Sequence, residues 1–460
     1  MSPTWTTEQI MGLSPDNYAI KIGRNLALAE KWLLTQCNAQ GHRIWAEYRN
    51  TGAKIVQTAI APQLLHFTCS CGSRKLPCNH VLALLLLWTE QPETFEQAQP
   101  PAWVQSWLEQ QPSPRVSGAQ NLAASPSERA DYDERRLQNT RAGLKELQLW
   151  LQDMVRGGFA TLENRPKNYW DAMANRLVDA QAGTLGRELK AIGAFVTLAA
   201  AGKTPKQPGH TNGALTDWPQ KLLSKLGRIH LLIQGFEHFD TLPPQTQSDL
   251  REAVGWLGRI NPRQEQSEIV ADHWLVMGKV VTDEGRHKMQ RTWLWGQRTN
   301  RPAQIIHLLY KPQSIDVSLI VGSTVEAELV FAANSTPLRA ELYKRGQTEP
   351  AAQFVCGSDS IATAVAAYAA AVAANPWLAH FPLALSAVTI GRQHQSWFVQ
   401  DVAGDLLPLP PGFEHGWHLS ALGHSAPFAL FGEWDGESFT PLTVWHEQRL
   451  IELAVLKGVK

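Results

Sequence analysis

Long apolar runs are missing from this chain. The two longest, Val81–Trp88 and the alanine-rich Ile361–Ala374, fall short of the roughly 20 residues that a membrane-spanning helix needs. The sequence begins Met-Ser-Pro-Thr-Trp, without the basic and then apolar residues of a secretory signal. We therefore expect a cytoplasmic protein without membrane association, in a reducing compartment where disulfides are rare.

An excess of charge is missing as well. Lys and Arg number 42, and Asp and Glu also number 42, which argues against a surface built as a whole for phosphate backbones. Residues 1–88 hold eight basic and four acidic residues. This mild excess fits an ordinary solvated surface as well as a local nucleic-acid footprint.

Familiar enzyme motifs are also absent. The sequence has no Gly-x-Ser-x-Gly elbow, His-Glu-x-x-His helix or Gly-x-Gly-x-x-Gly turn. No acid or thiol accompanies His415 and His418 at ligand spacing, so we interpret them as surface histidines. We expect a protein that is not an enzyme. The alternative is an unrecognised site in the C-terminal part, which would need an acid or base of shifted pKa.

Cysteine is scarce, yet three of the five cysteines fall in one window. Residues 69–80 read Cys-Ser-Cys-Gly-Ser-Arg-Lys-Leu-Pro-Cys-Asn-His, and three cysteines with one histidine are a standard ligand set of structural zinc. We predict one structural Zn²⁺, bound by Cys69, Cys71, Cys78 and His80.

The remaining candidates near this window are less favoured. His66 could compete as a ligand, but His80 already completes the tetrahedron. Cys37 and Cys356 lie outside the window, and we interpret them as single buried thiols.

The residues around the window predict how the ligands meet. Residues 64–68 are typical of a strand, on which Cys69 and Cys71 would point to the same face. Pro77 favours a helix start, and the run Val81–Trp88 follows without a breaker. That helix is apolar nearly all round, so we expect it to be buried.

The spacing Cys-x-Cys-x6-Cys-x-His resembles the SWIM zinc finger, and residues 73–87 resemble its bacterial members. Asn79 replaces a usual Lys, and Gly72 a usual Pro. The resemblance implies zinc binding with a role in recognition of DNA or protein rather than catalysis. It also implies, by analogy, association with MoxR-type AAA+ ATPases and von Willebrand A domain proteins.

The composition changes along the 460 residues, which are too many for one core. We predict a SWIM finger domain at 1–110 (finger 69–80), a linker at 111–129, a helical domain at 130–260 and a β-rich domain at 267–460. The fold class is therefore α+β multidomain. It comprises a small zinc-stabilised α+β domain, a helical middle section and a mainly antiparallel β C-terminal domain.

Several elements are predicted within these sections. The patterns favour a helix around Asn25–Leu34, a strand at Asp316–Val321 and a hairpin turn at Asp435-Gly436. Helical spacing relates Leu137, Leu144, Leu147, Leu151 and Met154. The predicted β-rich section contains several of the eighteen tryptophans, and we expect them to fill a β core rather than form a recognition surface; they include Trp293, Trp295, Trp397, Trp417, Trp434 and Trp445.

We therefore expect a zinc-binding adaptor whose finger docks a macromolecule, with a protein partner favoured. The finger loop offers only Arg74 and Lys75 as cationic contacts, whereas phosphate-driven binding usually needs a basic face. The alternative is a DNA-binding protein in which these two residues align with Arg49, Lys54 and the early helix on one face.

Overall fold

The computed structural model describes residues 5–14, 17–49, 54–62, 66–73, 77–109, 126–166, 168–200, 218–262, 267–284, 287–310, 318–351, 357–423, 426–446 and 449–454. The predicted fold class, α+β with a helical middle section and antiparallel C-terminal sheets, is confirmed. No described helix combines the length and apolarity that crossing a bilayer demands.

A five-stranded sheet forms the centre of the N-terminal part. Its order is β4-β3-β2-β1-β5, and all neighbours are antiparallel except β1 and β5. The strands are β1 (Trp32–Cys37), β2 (Ile44–Arg49), β3 (Ile55–Ala61), β4 (His66–Cys69) and β5 (Glu96–Gln97).

Helices cover both faces of this sheet. Side chains of β2 and β3 alternate between the two faces. Those on one face pack against α1 (Thr7–Gly12), α2 (Asn17–Leu26) and α3 (Asn79–Glu90). Those on the other face pack against α4 (Ala102–Glu109). All residues of the run Val81–Trp88 are buried in α3, which confirms the predicted buried helix.

The predicted helix at Asn25–Leu34 is wrong. Helix α2 ends at Leu26, and β1 begins at Trp32. Trp32 pairs with Tyr48 of β2 and donates its indole N–H to the Leu26 carbonyl at 2.9 Å. Because β1 lies between two other strands, tertiary pairing overrides the local helical pattern.

The middle section is a helical bundle. The predicted apolar positions on its first helix, from Leu137 to Met154, are buried together in its core. The polar stretch 203–216 lies outside the described residues. The helices are α5 (Pro126–Gly157), α6 (Asn168–Asp179), α7 (Gly183–Ala200), α8 (Trp218–Glu237) and α9 (Pro244–Val254).

The C-terminal part consists of two antiparallel sheets that share a core. The first has the order β10-β9-β6-β7-β8 and the second β13-β12-β11-β14-β15-β16. Trp274 of the first sheet and Phe431 of the second lie in one buried cluster. The first contains β6 (Glu268–Asp283), β7 (His287–Gly296), β8 (Pro302–Tyr310), β9 (Ser323–Phe331) and β10 (Ala340–Pro350).

The second sheet carries two helices. Its strands are β11 (Phe381–Gln393), β12 (Ser396–Asp401), β13 (Leu406–Pro408), β14 (Phe428–Trp434), β15 (Phe439–His446) and β16 (Arg449–Glu452). The helices are α10 (Ile361–Ala374) and α11 (Gly416–Gly423). Asp435 and Gly436 connect β14 to β15, with Gly436 at φ +92°, which confirms the predicted hairpin turn.

The strand predicted at Asp316–Val321 is wrong in its described part. Residues 318–322 form a loop before β9. Leu319 and Val321 belong to the core of the sheets, whereas Ile320 is buried in the core of the N-terminal domain. The alternating apolar residues are therefore buried in two different cores, and not on one face of a single sheet.

The predicted limits at 110, 129, 260 and 267 stay predictions. Residues 110–125 lie outside the described part of the chain, and α5 begins at Pro126.

Candidate metal centre

The four predicted ligands come from two neighbouring elements. Cys69 is the last residue of β4, and Cys71 follows it in a turn. Cys78 is the N-cap of α3, and His80 lies in its first turn. The ligand atoms of these four residues all lie within 4.8 Å of one another. They form a Cys₃His metal-binding group.

Strand pairing fixes the first pair of ligands. Cys69 lies opposite Thr58 of β3. The next residue, Ser70, continues the ladder, with its N–H 2.9 Å from the Gln57 carbonyl and its hydroxyl 2.9 Å from the Gln57 N–H. The expectation that Cys71 also lies on the strand is wrong, because the chain turns after Ser70. The turn nevertheless brings the Cys71 sulfur back to the group.

Gly72 makes this turn possible. Its φ is +69°, in the left-handed region that glycine enters without steric penalty. Proline, the usual residue of the resembling bacterial proteins, has φ locked near −65°. The loop of this chain therefore follows a backbone path that proline could not adopt at position 72.

The start of α3 fixes the second pair. Cys78 has the extended backbone of an N-cap (φ −79°, ψ 171°), and its carbonyl accepts the N–H of Leu82 at 3.0 Å. The positive end of the helix dipole favours a thiolate at this position. The buried run of α3 anchors the helix to the sheet, so both ligands are held on a rigid element.

Side chains of the sheet contact the ligands from below. The Thr58 hydroxyl lies 3.2 Å from the Cys69 sulfur. The Tyr48 ring lies 5.2 Å from the His80 ring, between centroids, and itself packs edge-on against Trp32 at 5.5 Å. These neighbours fix the orientation of the ligands. The pairing of Thr58 with Cys69 depends on strand register, which the local pattern does not specify.

The donor set fits zinc. The Nδ1 atom of His80 is buried and has no hydrogen-bond partner among the described residues, so it remains available to a cation. Sulfur and imidazole donors in a closed set of four are typical of structural zinc sites. A bound Zn²⁺ would supply the electrostatic cross-link between β4 and α3.

The thiols differ in acidity. Hydrogen bonding with Cys78, helped by contacts from His80 and Thr58, lowers the pKa of the Cys69 thiol to about 4, against the opposing effect of burial. The same hydrogen bond with Cys69, and burial, raise the pKa of Cys78. Burial also raises the pKa of Cys71. One thiolate is thus favoured in the absence of a cation, and metal binding would displace the other protons.

The other candidates do not join this group in the described structure. Arg74 and Lys75, and Cys356, lie outside the described residues, as does the side chain of His66. Cys37 is a buried free thiol, as predicted. Arg49 and Lys54 are exposed at the end of β2 and just before β3.

The histidines near α11 form no metal site among the described residues. The rings of His415 and His418 lie 5.7 Å apart, between centroids, and the group of Cys69 to His80 is the metal-binding cluster found in the described part of the chain. His418 is exposed, as predicted, but His415 is buried. The surface interpretation is therefore wrong for His415, which packs against Phe413.

Comparison with protein families agrees with this geometry. Residues 63–88 match the model of the SWIM zinc finger, which spans all four ligands. This chain contains a SWIM zinc finger. Residues 135–254 match the model of the SWIM-associated four-helix bundle domain. SWIM fingers bind zinc and act in macromolecular interaction. No curated protein and no solved structure matches the chain.

Proposed function

We propose that this SWIM protein is a cytoplasmic, non-enzymatic adaptor whose finger holds one structural Zn²⁺ and docks a partner protein. The observation that carries the proposal is the closed Cys₃His group at the junction of β4 and α3, with ligand atoms within 4.8 Å. A closed set of four protein ligands leaves no open coordination position for catalysis. The metal would then stabilise a recognition surface.

The surface beside the finger supports a protein partner. Trp32 pairs with Tyr48 and Ile55 with Arg49, so the start of β1 and the β2–β3 hairpin lie at one end of the sheet. After Cys69 the chain runs along β3 toward this same end. Leu33 and Ile55 are 47% and 45% exposed there. Exposed apolar side chains beside cations suit a protein interface better than a phosphate-binding face.

The analogy with bacterial SWIM proteins suggests a class of partner. An AAA+ ATPase of the MoxR type or a von Willebrand A domain protein is the proposed partner.

The C-terminal sheets support a non-enzymatic role. Two cavities of about 260 Å³ occur there, one lined by residues such as Asp272 and Lys344 and one by residues such as Trp295 and Phe381. The buried acid Glu433 lines neither cavity and is instead paired with Arg291 at 2.9 Å. Asp272 does line the first cavity and its pKa is shifted: against the effect of burial, hydrogen bonds from Thr299, Arg298 and His273 lower it. We interpret both acids as structural.

One observation favours nucleic acid as the second candidate. Lys31, Arg49 and Lys54 are exposed at the same end of the sheet as the finger. Three cations could contact a phosphate backbone, and such binding would weaken steeply with salt.

Affinity purification from native lysate distinguishes the two candidates. Tagged wild-type protein and the Cys78→Ser variant are compared with and without nuclease, and Cys37→Ser serves as the thiol control outside the site. We expect protein partners that survive nuclease, disappear with Cys78→Ser and remain with Cys37→Ser. Loss of all partners after nuclease, with recovery of nucleic acid, would reverse the ranking.

A further inference from the structure

Trp417 is an exception among the tryptophans. All eighteen lie in the described residues, and Trp417 alone is exposed, at 65% of its surface. The predicted role of the tryptophans as core residues therefore fails at this position. A single exposed apolar side chain is ordinary on a protein surface, so a binding role for Trp417 has to be argued from the residues around it.

The fold holds Trp417 in place from beneath. It lies on α11, which is anchored by the buried Leu419 and sits directly on the ring of Trp397. A Cβ atom at Gly416 would lie 2.1 Å from the Trp397 ring, so this close approach requires glycine. Trp397 is buried and meets the ring of Trp417 edge-on, with 5.0 Å between centroids. The exposed indole is therefore supported by a rigid aromatic base.

A cation completes this surface. Arg392 pairs with Trp397 across β11 and β12, and its guanidinium carbon lies 5.3 Å from the ring centroids of both Trp397 and Trp417. Among the described residues no carboxylate forms an ion pair with Arg392. Its guanidinium thus contacts aromatic rings, which carry no opposite charge, and it remains available to an anion.

Acids border the two chain segments that carry these residues but do not lie within them. Residues 386–400 and 415–423 contain no Asp or Glu but include the exposed His394 and His418. Asp401 directly follows the first segment, where its carboxylate accepts the N–H groups of Ile361 and Asp405, and Glu414 directly precedes the second. The charged side chain in contact with the two rings is the cation Arg392, which favours an anionic partner over a cationic one.

We propose that Trp417, Arg392 and His418 form a docking surface for an acidic peptide segment of a partner protein, one that carries an aromatic or large aliphatic side chain. Trp and Arg are the side chains that contribute most at protein interfaces, where a rigid aromatic anchor is surrounded by polar contacts. Nucleic acid is less suited, because Arg392 is the sole permanent cation of the two segments and backbone binding needs several. This docking surface is separate from the finger, and the proposal does not depend on the function proposed for the finger.

Selection of peptides tests the proposal. A phage library of random twelve-residue peptides is selected on the purified full-length protein, with the Trp417→Ser variant in a parallel selection. We expect the wild type to enrich peptides in which Asp or Glu flank an aromatic or large aliphatic residue. Their affinities are then measured by fluorescence anisotropy, where Trp417→Ser should weaken binding about tenfold or more, and Arg392→Gln should also weaken it.

Val402→Ser is the matched control. Val402 is even more exposed than Trp417 and lies at the opposite end of β12 from Trp397. This variant should bind the enriched peptides as the wild type does, and near-ultraviolet circular dichroism should confirm that all variants are folded.

Three results would overturn the proposal. The first is no enrichment, or enrichment of peptides without acids. The second is unchanged affinity in Trp417→Ser. The third is preference for a fifteen-residue oligothymidine, with loss of that binding in Trp417→Ser, which would assign the surface to nucleic acid.

Discussion

The finger domain and the C-terminal sheets differ in how far apart in the sequence their interacting polar residues lie. In the finger, four ligands from one twelve-residue window converge within 4.8 Å. In the sheets, Arg291 of β7 and Glu433 of β14 are 142 residues apart and meet in a buried ion pair, with N–O distances of 2.9 and 3.0 Å. A polar centre that is local in sequence can be recognised from spacing, whereas one made by sheet packing cannot.

The largest expected effect is the loss of the metal from the finger. Cys78→Ser removes one of the four ligands, so we expect the protein to lose zinc and α3 to lose its protection from amide exchange. Structural zinc binds finger peptides with apparent free energies of about 10–16 kcal/mol, and that energy stabilises the fold directly. Elemental analysis and hydrogen exchange measure both effects.

Cys37→Ser is the control for this prediction. Cys37 is buried in the same domain but is not part of the metal-binding group, so this variant should keep its zinc. A Cys78→Ser protein with full zinc content and protected α3 would contradict the assigned ligand set.

The next effect concerns the buried ion pair. Arg291→Met leaves the carboxylate of Glu433 buried without its partner, which costs about 3–5 kcal/mol. We expect urea denaturation to show a loss of this size. The double variant Arg291→Met/Glu433→Leu should recover part of it, because replacing both charges by apolar groups removes the desolvation penalty but leaves the buried Trp293 N–H without its acceptor. An equally unstable double variant would contradict this account.

A smaller effect is expected from pH. Burial alone would raise the pKa of Glu433, but hydrogen bonds from Arg291, the nearby charge of His380 and the Trp293 N–H together lower it. A carboxyl whose pKa is lowered by folding stabilises the protein above its unfolded pKa, near 4.3. This contribution disappears as the pH falls through the folded value. Burial likewise lowers the pKa of His380, so its protonation also disfavours the folded state as the pH falls.

We therefore expect the C-terminal sheets to lose stability as the pH falls below about 6.5, where His380 begins to be protonated, and to lose more below about pH 4.3, where Glu433 does. Urea midpoints at several pH values measure this loss. Glu433→Gln has no titrating carboxyl at this position, so its stability should change less at the acidic end of the range. An identical pH profile for the variant and the wild type would assign the loss to other groups.

Sequence patterns predicted those parts of the fold whose contacts are local. They gave the ligand set, the buried helix α3 and the apolar stripe from Leu137 to Met154, each of which depends on neighbours within a few turns. They failed where distant partners decide the structure. Trp32 joins a strand because it pairs with Tyr48 of β2, and Thr58 contacts Cys69 because of strand register. The polar strand β10 has no clear alternation of apolar residues and is held by pairing with β9.

The two regions also touch, which limits how far they can be treated as independent. Ile320 precedes β9 of the sheets, yet it is 4% exposed and buried in the core of the finger domain. The Ser323 hydroxyl and N–H hold its carbonyl at 2.7 and 3.1 Å. The side chain is therefore presented from a fixed loop, and it should connect the stability of the two regions.

The smallest predicted effect tests this connection. Ile320→Val removes one methylene from the finger core and should cost about 1 kcal/mol. Ile305→Val is the matched control, because Ile305 lies on β8 and is buried in the core of the sheets. Hydrogen exchange should show reduced protection of α3 in Ile320→Val and not in Ile305→Val, with zinc content unchanged in both. The same exchange profile in both variants would mean that Ile320 does not connect the regions. The stability of the finger domain would then be independent of the core of the C-terminal sheets.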